Sequence, residues 1–296
     1  MWKELIAMFF GIVGSVLYHI SKCMQQHGID IIRRLFRKKS SSEILHVKKK
    51  TLIYSIGVLL NNTIGVWIIL ANRYAPASYY TSMFGFGLIA LMFYSARILH
   101  EKVDKEEYFG SALVVIGTLT LGIDGIFRPE LNMALIDLKQ VVYITITFFL
   151  ITSFLIFFVF DKRSPLQTGI GFGIITGGCA SLDPIYKSIG QTLGGTPGFL
   201  PDTSIGTIFF VVSFVFTTGA FFMTQYAFAK SARAAVLVSV QNCVYVIFPI
   251  FIQAVALPGF RFRIFTILGL IFVSAGIFFM QFYKPRKYYE TSCSIS

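Results

Sequence analysis

Charge is what this sequence has least of. Asp, Glu, Lys and Arg make up 14% of its 296 residues, against about a quarter in a soluble globular domain. Acid is scarcer than base, 14 residues against 26. A soluble surface cannot be built from so little charge. Cysteine is also sparse: Cys23, Cys179, Cys243 and Cys293 share no C-x-x-C or C-x-x-H spacing, which excludes a zinc knuckle or a disulfide framework. There is no H-E-x-x-H, no G-x-S-x-G and no pair of aspartates within the apolar segments, so no hydrolytic or metal-dependent catalytic set is assembled. No enzyme activity and no cofactor are expected.

Apolar residues are abundant instead. Hydrophobic residues account for 55% of the chain, 32 of them Phe, and the mean hydropathy is +0.71. They fall in blocks of roughly 18–25 residues, enough to cross about 30 Å of hydrocarbon as helix. The fold class expected is an all-α polytopic membrane protein with the lipid bilayer as its first partner. Nine spans are read near Glu4–Gln26, Thr51–Ala71, Ser78–Leu99, Glu107–Ile123, Val141–Phe160, Leu166–Ile189, Ile205–Ala229, Ala232–Ala256 and Arg263–Tyr283. The formal charge of +12 points to membrane topology, not to nucleic acid, because the basic residues sit in loops beside the spans. Alternate connections and the tail hold eighteen Lys and Arg, eight of them in the basic connection 27–50, and the opposite connections hold six. Positive charge stays on the cytoplasmic side, so the amino terminus is expected outside and the carboxyl terminus in the cytoplasm. The first apolar helix lacks an A-x-A-like cleavage site and is expected to be retained. The terminal "CSIS" fits a prenylation box at Cys293, which would add little anchorage to a nine-span protein.

Internal similarity runs through the chain. "GIVGSVLYHISKCMQQHG" starts and ends on Gly11 and Gly28, as "GIITGGCASLDPIYKSIG" does on Gly173 and Gly190. "NRYAPAS" at 72–78 matches "TQYAFAK" at 224–230, and "GSALVVIG" (Gly110, Gly117) matches "GLIFVSAG" (Gly269, Gly276). The matches occur in the same order. The division that follows is 1–125 as a first four-helix repeat, 126–163 as a linker helix, 164–284 as a second repeat and 285–296 as a short cytoplasmic tail. Corresponding helices are five apart, an odd number, so the copies are inverted with respect to each other, an architecture of secondary transporters.

Two stretches carry a family resemblance. "TTGAFFMTQYAFAKSARAAVLVSVQ" is similar to the aromatic–Ala–x–Ala hinge of the drug/metabolite transporter superfamily, its EamA-like branch in particular. "ILHEKVDKEEYFGSALVVIGTLTLGI" is similar to that superfamily's Gly-Glu-Arg corner and glycine-spaced last helix, with His100-Glu101-Lys102 in the corner's place. The nine-helix organisation, "YAPAS" at 74–78 and the long basic first connection resemble the NIPA-like magnesium transporters. The superfamily resemblance implies alternating-access transport of a small solute; the NIPA-like one implies a divalent cation. Gly65 and Ile68 stand where the NIPA-like pattern carries a Glu and an Asn. The metal-binding residues are left unassigned.

A few residues are out of place in hydrocarbon. Asp183, Pro184 and Lys187 occur within five positions of an apolar run. Pro184 removes a backbone donor, so the helix is expected to unwind there, and freed backbone in a membrane belongs beside protein or a wet cavity. Asp183 and Lys187, four apart, can pair on a helix. Gly169, Gly173, Gly177 and Ser181 form a small-residue stripe for close helix packing. His19 and Lys22 fall at the positions equivalent to Ser181 and Pro184. With the neutral polar residues Asn61, Asn62, Gln225, Gln241 and Asn242, they complete the candidate solute-binding set, since intramembrane polar groups usually face the bundle interior. The partner expected is a small polar solute or ion; a non-transporting scaffold or lipid-handling protein is the alternative from another class.

Overall fold

The computed structural model describes residues 2–35, 44–97, 105–127, 133–159, 165–193, 198–230, 232 and 234–282. The His100-Glu101-Lys102 corner, Lys162, Arg163 and the Cys293 tail lie outside the described residues. Every regular element among the described residues is helical. In chain order these are α1 (Trp2–Leu35), α2 (Ile44–Asn72), α3 (Ala77–Ser82), α4 (Phe86–Arg97), α5 (Lys105–Ile126), α6 (Leu138–Val159), α7 (Pro165–Thr192), α8 (Ser204–Ala229), α9 (Ala234–Ala256) and α10 (Ile264–Phe282).

Among the described residues five stretches are long and apolar enough to cross a membrane: Trp2–Gln25, Thr51–Asn72, Tyr108–Gly125, Ser204–Phe228 and Leu237–Ala256. Leu138–Phe154 and Ile264–Phe279 are shorter apolar helices. The faces turned outward are apolar too. On α8, Ile208, Val211, Val215 and Phe222 are each more than half exposed, a greasy stripe that water would not tolerate and acyl chains would cover. Four of the nine expected spans thus fall short of that length-and-hydropathy standard, and beyond the two shorter helices the reasons are visible. The run in α7 holds Asp183 and Lys187, and the span expected at Ser78–Leu99 is divided between α3 and α4.

That division corrects the position of the break. The sequence placed an unwound turn at Pro184, yet α7 continues as α-helix from Pro165 to Thr192 with the proline inside it. The distortion is instead at Met83–Gly85, which tightens into a 3-10 turn between α3 and α4. A buried hydroxyl supports it. Ser15 of α1 donates to the Phe84 carbonyl and accepts from the Gly87 amide at 2.9 Å, so backbone groups at the turn keep partners away from water. At Pro184 one backbone bond is lost, but the proline's own carbonyl accepts from Asn72 Nδ2 at 3.0 Å. A single proline is then accommodated by its neighbours, as membrane helices allow.

Packing is pairwise. α1 lies against α2 and against the α3–α4 unit; α7 lies against α8 and α9; α5 lies against α10. Glycines set the closest approaches. A Cβ at Gly117 would sit 2.7 Å from the Val273 amide and 2.8 Å from the Gly269 carbonyl, and one at Gly276 would press on Gly110 and Val114. Since Gly117 meets Gly269 while the earlier Gly110 meets the later Gly276, α5 and α10 run antiparallel. On α7, Gly173 abuts Leu237 and Val240, and Gly177 abuts Gln241 and Val244. Those two members of the expected stripe therefore seat α9; Gly169 is buried on the same helix.

Candidate functional site

A partly open cleft lies between α1, α2, α7, α8, α9 and the turn at Phe84, with about 540 Å³ of unfilled space that includes its open mouth. Its polar wall is made of Lys22, Asn61, Asp183, Gln241 and Asn242, all among the residues singled out from sequence. Each is buried, between 2% and 8% exposed. The rest of the wall is largely aromatic and aliphatic: Tyr18, Phe84, Phe221 and Tyr245 with Ile64 and Ile68. Helical register explains the gathering. Tyr18 and Lys22 are four apart on α1, Asn61, Ile64, Gly65 and Ile68 share one face of α2, and Gln241 and Tyr245 are four apart on α9.

Asp183 faces the cleft with its charge already met. Lys187, one turn along α7, donates to Asp183 Oδ1, and both side chains are buried. The Lys187 ammonium also lies 4.4 Å from the centre of the Phe214 ring on α8. Lys187 thus stands behind the carboxylate and is not itself part of the wall. Ala180, whose carbonyl finds no N–H at Pro184, lines the same cavity.

Lys22 has a different environment. Its Nζ lies 5.0 Å from the Tyr18 ring centre and 5.7 Å from that of Phe221. No carboxylate pairs with it among the described residues. The side chain does not snorkel to the headgroups; it is 3% exposed within the bundle.

His19 stands one shell back. Its Nδ1 lies 2.7 Å from the Ser15 carbonyl and its Nε2 lies 2.7 Å from Asn242 Nδ2. The carbonyl can only accept, so Nδ1 carries the proton and Nε2 accepts from the amide. Both ring nitrogens are occupied, and the imidazole orients Asn242 so that its carbonyl oxygen is left over. That oxygen and Asn61 Oδ1 are buried without a hydrogen-bond partner.

Two expected residues lie elsewhere. Asn62 is exposed and donates to the Val58 carbonyl of its own helix at 2.9 Å, because one step along α2 turns a side chain by about 100° from Asn61. Gln225 is half-buried and bridges helices: its Nε2 donates to Gln25 Oε1 at 2.8 Å and its Oε1 accepts from Tyr54 at 3.2 Å. Gln25 in turn donates to the Gly57 carbonyl. This chain of amides ties α1, α2 and α8 together beyond the cleft.

Sequence reasoning missed the aromatic wall and a second buried carboxylate. Asp124, 4% exposed, accepts from Thr266 at 2.7 Å and borders a smaller cavity of about 360 Å³ with Ser78, Ser82 and Gln253. The fourth span was ended at Ile123, whereas α5 continues to Ile126 and carries Asp124 inside. The aromatic wall left no signal in a chain with 32 Phe and 14 Tyr.

No known family model matches this chain, and neither the curated proteins nor the solved structures contain a significant match to it.

Proposed function

We propose that the chain is a membrane carrier of the drug/metabolite transporter type, built from two inverted four-helix repeats joined by α6, that moves a small polar solute by alternating access. The observation that carries this reading is that the cleft draws its walls from corresponding positions of both halves. Exchange of α1 with α7, α2 with α8, α3–α4 with α9 and α5 with α10 maps the main helix pairs onto one another. The matched glycines behave likewise. Gly117 meets Gly269 and Gly276 meets Gly110, an isologous contact between equivalent residues. On antiparallel helices this is the contact that a two-fold axis perpendicular to them, in the membrane plane, would generate, and it supports the inverted-repeat reading.

The correspondence extends to the cleft. Ser15 holds Phe84 and Gly87, and its repeat equivalent Gly177 rests on Gln241 and Val244 at the same spacing. Phe84 is thereby equivalent to Gln241, and Tyr18 to Ala180, and all four line the cavity. A pocket astride the axis is reached from either face when the halves rock. The charge bias of the loops supports an amino terminus outside and a carboxyl terminus in the cytoplasm.

The donor set argues against a hard divalent cation, the solute of the NIPA-like resemblance. Such an ion wants several oxygen ligands, carboxylates above all, and Asp183 is engaged by Lys187. Gly65 and Ile68, where that pattern has Glu and Asn, line the cleft with no side-chain oxygen.

The test uses Ala180→Cys in a protein whose native cysteines are replaced, after its thermal midpoint is matched to the wild type. In proteoliposomes of one orientation, a membrane-impermeant methanethiosulfonate is expected to label it from both faces, as an alternating cavity requires. Labelling from one face only, or from neither, refutes the reading and favours a scaffold.

A further inference from the structure

We infer that the cleft takes a small organic monoanion, a carboxylate with a flat apolar body and one or two hydrogen-bond donors, and that Lys22 is its counter-charge. The inference names the solute class of the proposed carrier and so rests on that reading for transport, though not for binding.

Charge comes first. Asp183 and Lys187 neutralise each other, so Lys22 is the basic group in the wall that no carboxylate pairs with among the described residues. An ammonium held 97% out of solvent beside the Tyr18 and Phe221 rings is costly to desolvate. Cation–π contacts recover a part of that cost; an incoming anion recovers far more. One cation matches one negative charge, which disfavours a phosphate dianion. A cationic solute would have to displace Lys187 from Asp183 and tolerate Lys22.

Neutral groups then define the rest of the solute. Asn61 Oδ1 and Asn242 Oδ1 are acceptors without partners in a buried wall, and His19 holds Asn242 in that presentation. Buried acceptors left open lose roughly 1–3 kcal/mol each, so the ligand that fits them brings O–H or N–H donors. The rings of Phe84 and Tyr245, packed against each other at 4.3 Å between centroids and inclined by 42°, form with Tyr18 and Phe221 an aromatic wall that suits a planar apolar body.

An isosteric series separates charge from shape: 4-hydroxybenzoate, 4-hydroxybenzamide and 4-hydroxybenzamidine carry one negative, zero and one positive charge on the same ring, and each keeps the phenol O–H donor. Titration calorimetry on the purified full chain in detergent is expected to show saturable 4-hydroxybenzoate binding, the amide at least tenfold weaker and the amidinium weaker still. Lys22→Gln is expected to bring 4-hydroxybenzoate down to the level of the amide, while Lys22→Arg keeps the preference. Asn61→Ala, which leaves the charge in place and removes an acceptor for the phenol, is expected to weaken binding with the order unchanged. Equal or better binding of the neutral or cationic analogue by the wild type overturns the inference. So does absent 4-hydroxybenzoate binding at about 10 mM, or unaltered preference in a folded Lys22→Gln. If Lys22→Gln does not fold, the wild-type series and Asn61→Ala decide. Uptake into proteoliposomes is scored separately. Binding of 4-hydroxybenzoate without uptake preserves the anion site and removes the carrier reading; uptake confined to cations does the reverse.

Discussion

The Asp183–Lys187 pair makes an energetic test that separates structure from chemistry. Lys187 is fully buried and Asp183 is 3% exposed, so neither charge is screened by solvent. Lys187→Met removes the ion-pair partner that a buried carboxylate has among the described residues. Breaking such a pair from one side costs about 3–5 kcal/mol, a shift of roughly a hundred- to several-thousand-fold in the unfolding equilibrium at about 1.4 kcal/mol per decade. Asp183→Leu exposes the opposite problem, a buried ammonium left beside the Phe214 ring without its carboxylate, and belongs in the same range. The double variant Asp183→Leu/Lys187→Met removes both charges and their desolvation together. It is expected to lie within about 1 kcal/mol of the wild type or above it. The assay is equilibrium unfolding by SDS titration in mixed micelles, read by circular dichroism, with the four proteins treated as a double-mutant cycle. If each single variant costs under about 1 kcal/mol, or if the double variant is as unstable as the sum of the two, the pair is not the buried, mutually compensating unit described above. The double variant also supplies a folded protein without the acidic wall, on which binding and flux are measured free of any stability defect.

Three further outcomes follow from the packing. Gly117→Ala drives a methyl into the α10 backbone at 2.7 Å and is expected to destabilise by roughly 1–3 kcal/mol. Gly219→Ala on α8 meets nothing within 4 Å and is expected to stabilise by about 0.5–1 kcal/mol, so SDS titration should give opposite signs. Ser15→Ala strips the hydroxyl that serves Phe84 and Gly87; a loss of roughly 1–3 kcal/mol is expected, with faster amide hydrogen exchange at Gly87 as its local signature.

The helices and their apolar character were legible from local order alone. Hydropathy over about 20 residues reports the solvent a segment needs, and the matched glycines marked where backbones would touch. The polar candidates were found by the same logic: Lys22, Asn61, Asp183, Gln241 and Asn242 were conspicuous because lipid penalises them. Which of them share a cavity was not legible. Asn61 and Asn62 are adjacent and chemically identical, yet one faces the cleft and the other faces out. On a helix apolar all round, no hydrophobic stripe tells the inner face from the outer. The misplaced break has a related cause. Pro184 is a local signal, but whether a helix yields to it depends on how neighbouring helices hold it, and Asn72, which donates to the Pro184 carbonyl, is 112 positions away.

Membrane habit, helical spans and two-part internal similarity are properties of short windows of chain, and for this protein sequence by itself determined them. Tertiary structure decided which side chains converge, that Lys187 stands behind Asp183 while Lys22 stands alone among rings, and that the tightened turn falls at Met83–Gly85. The reason is physical. Hydrophobicity and periodicity act along one segment, whereas rotation about a helix axis, crossing geometry and the pairing of buried charges are settled only when segments far apart in sequence press against one another.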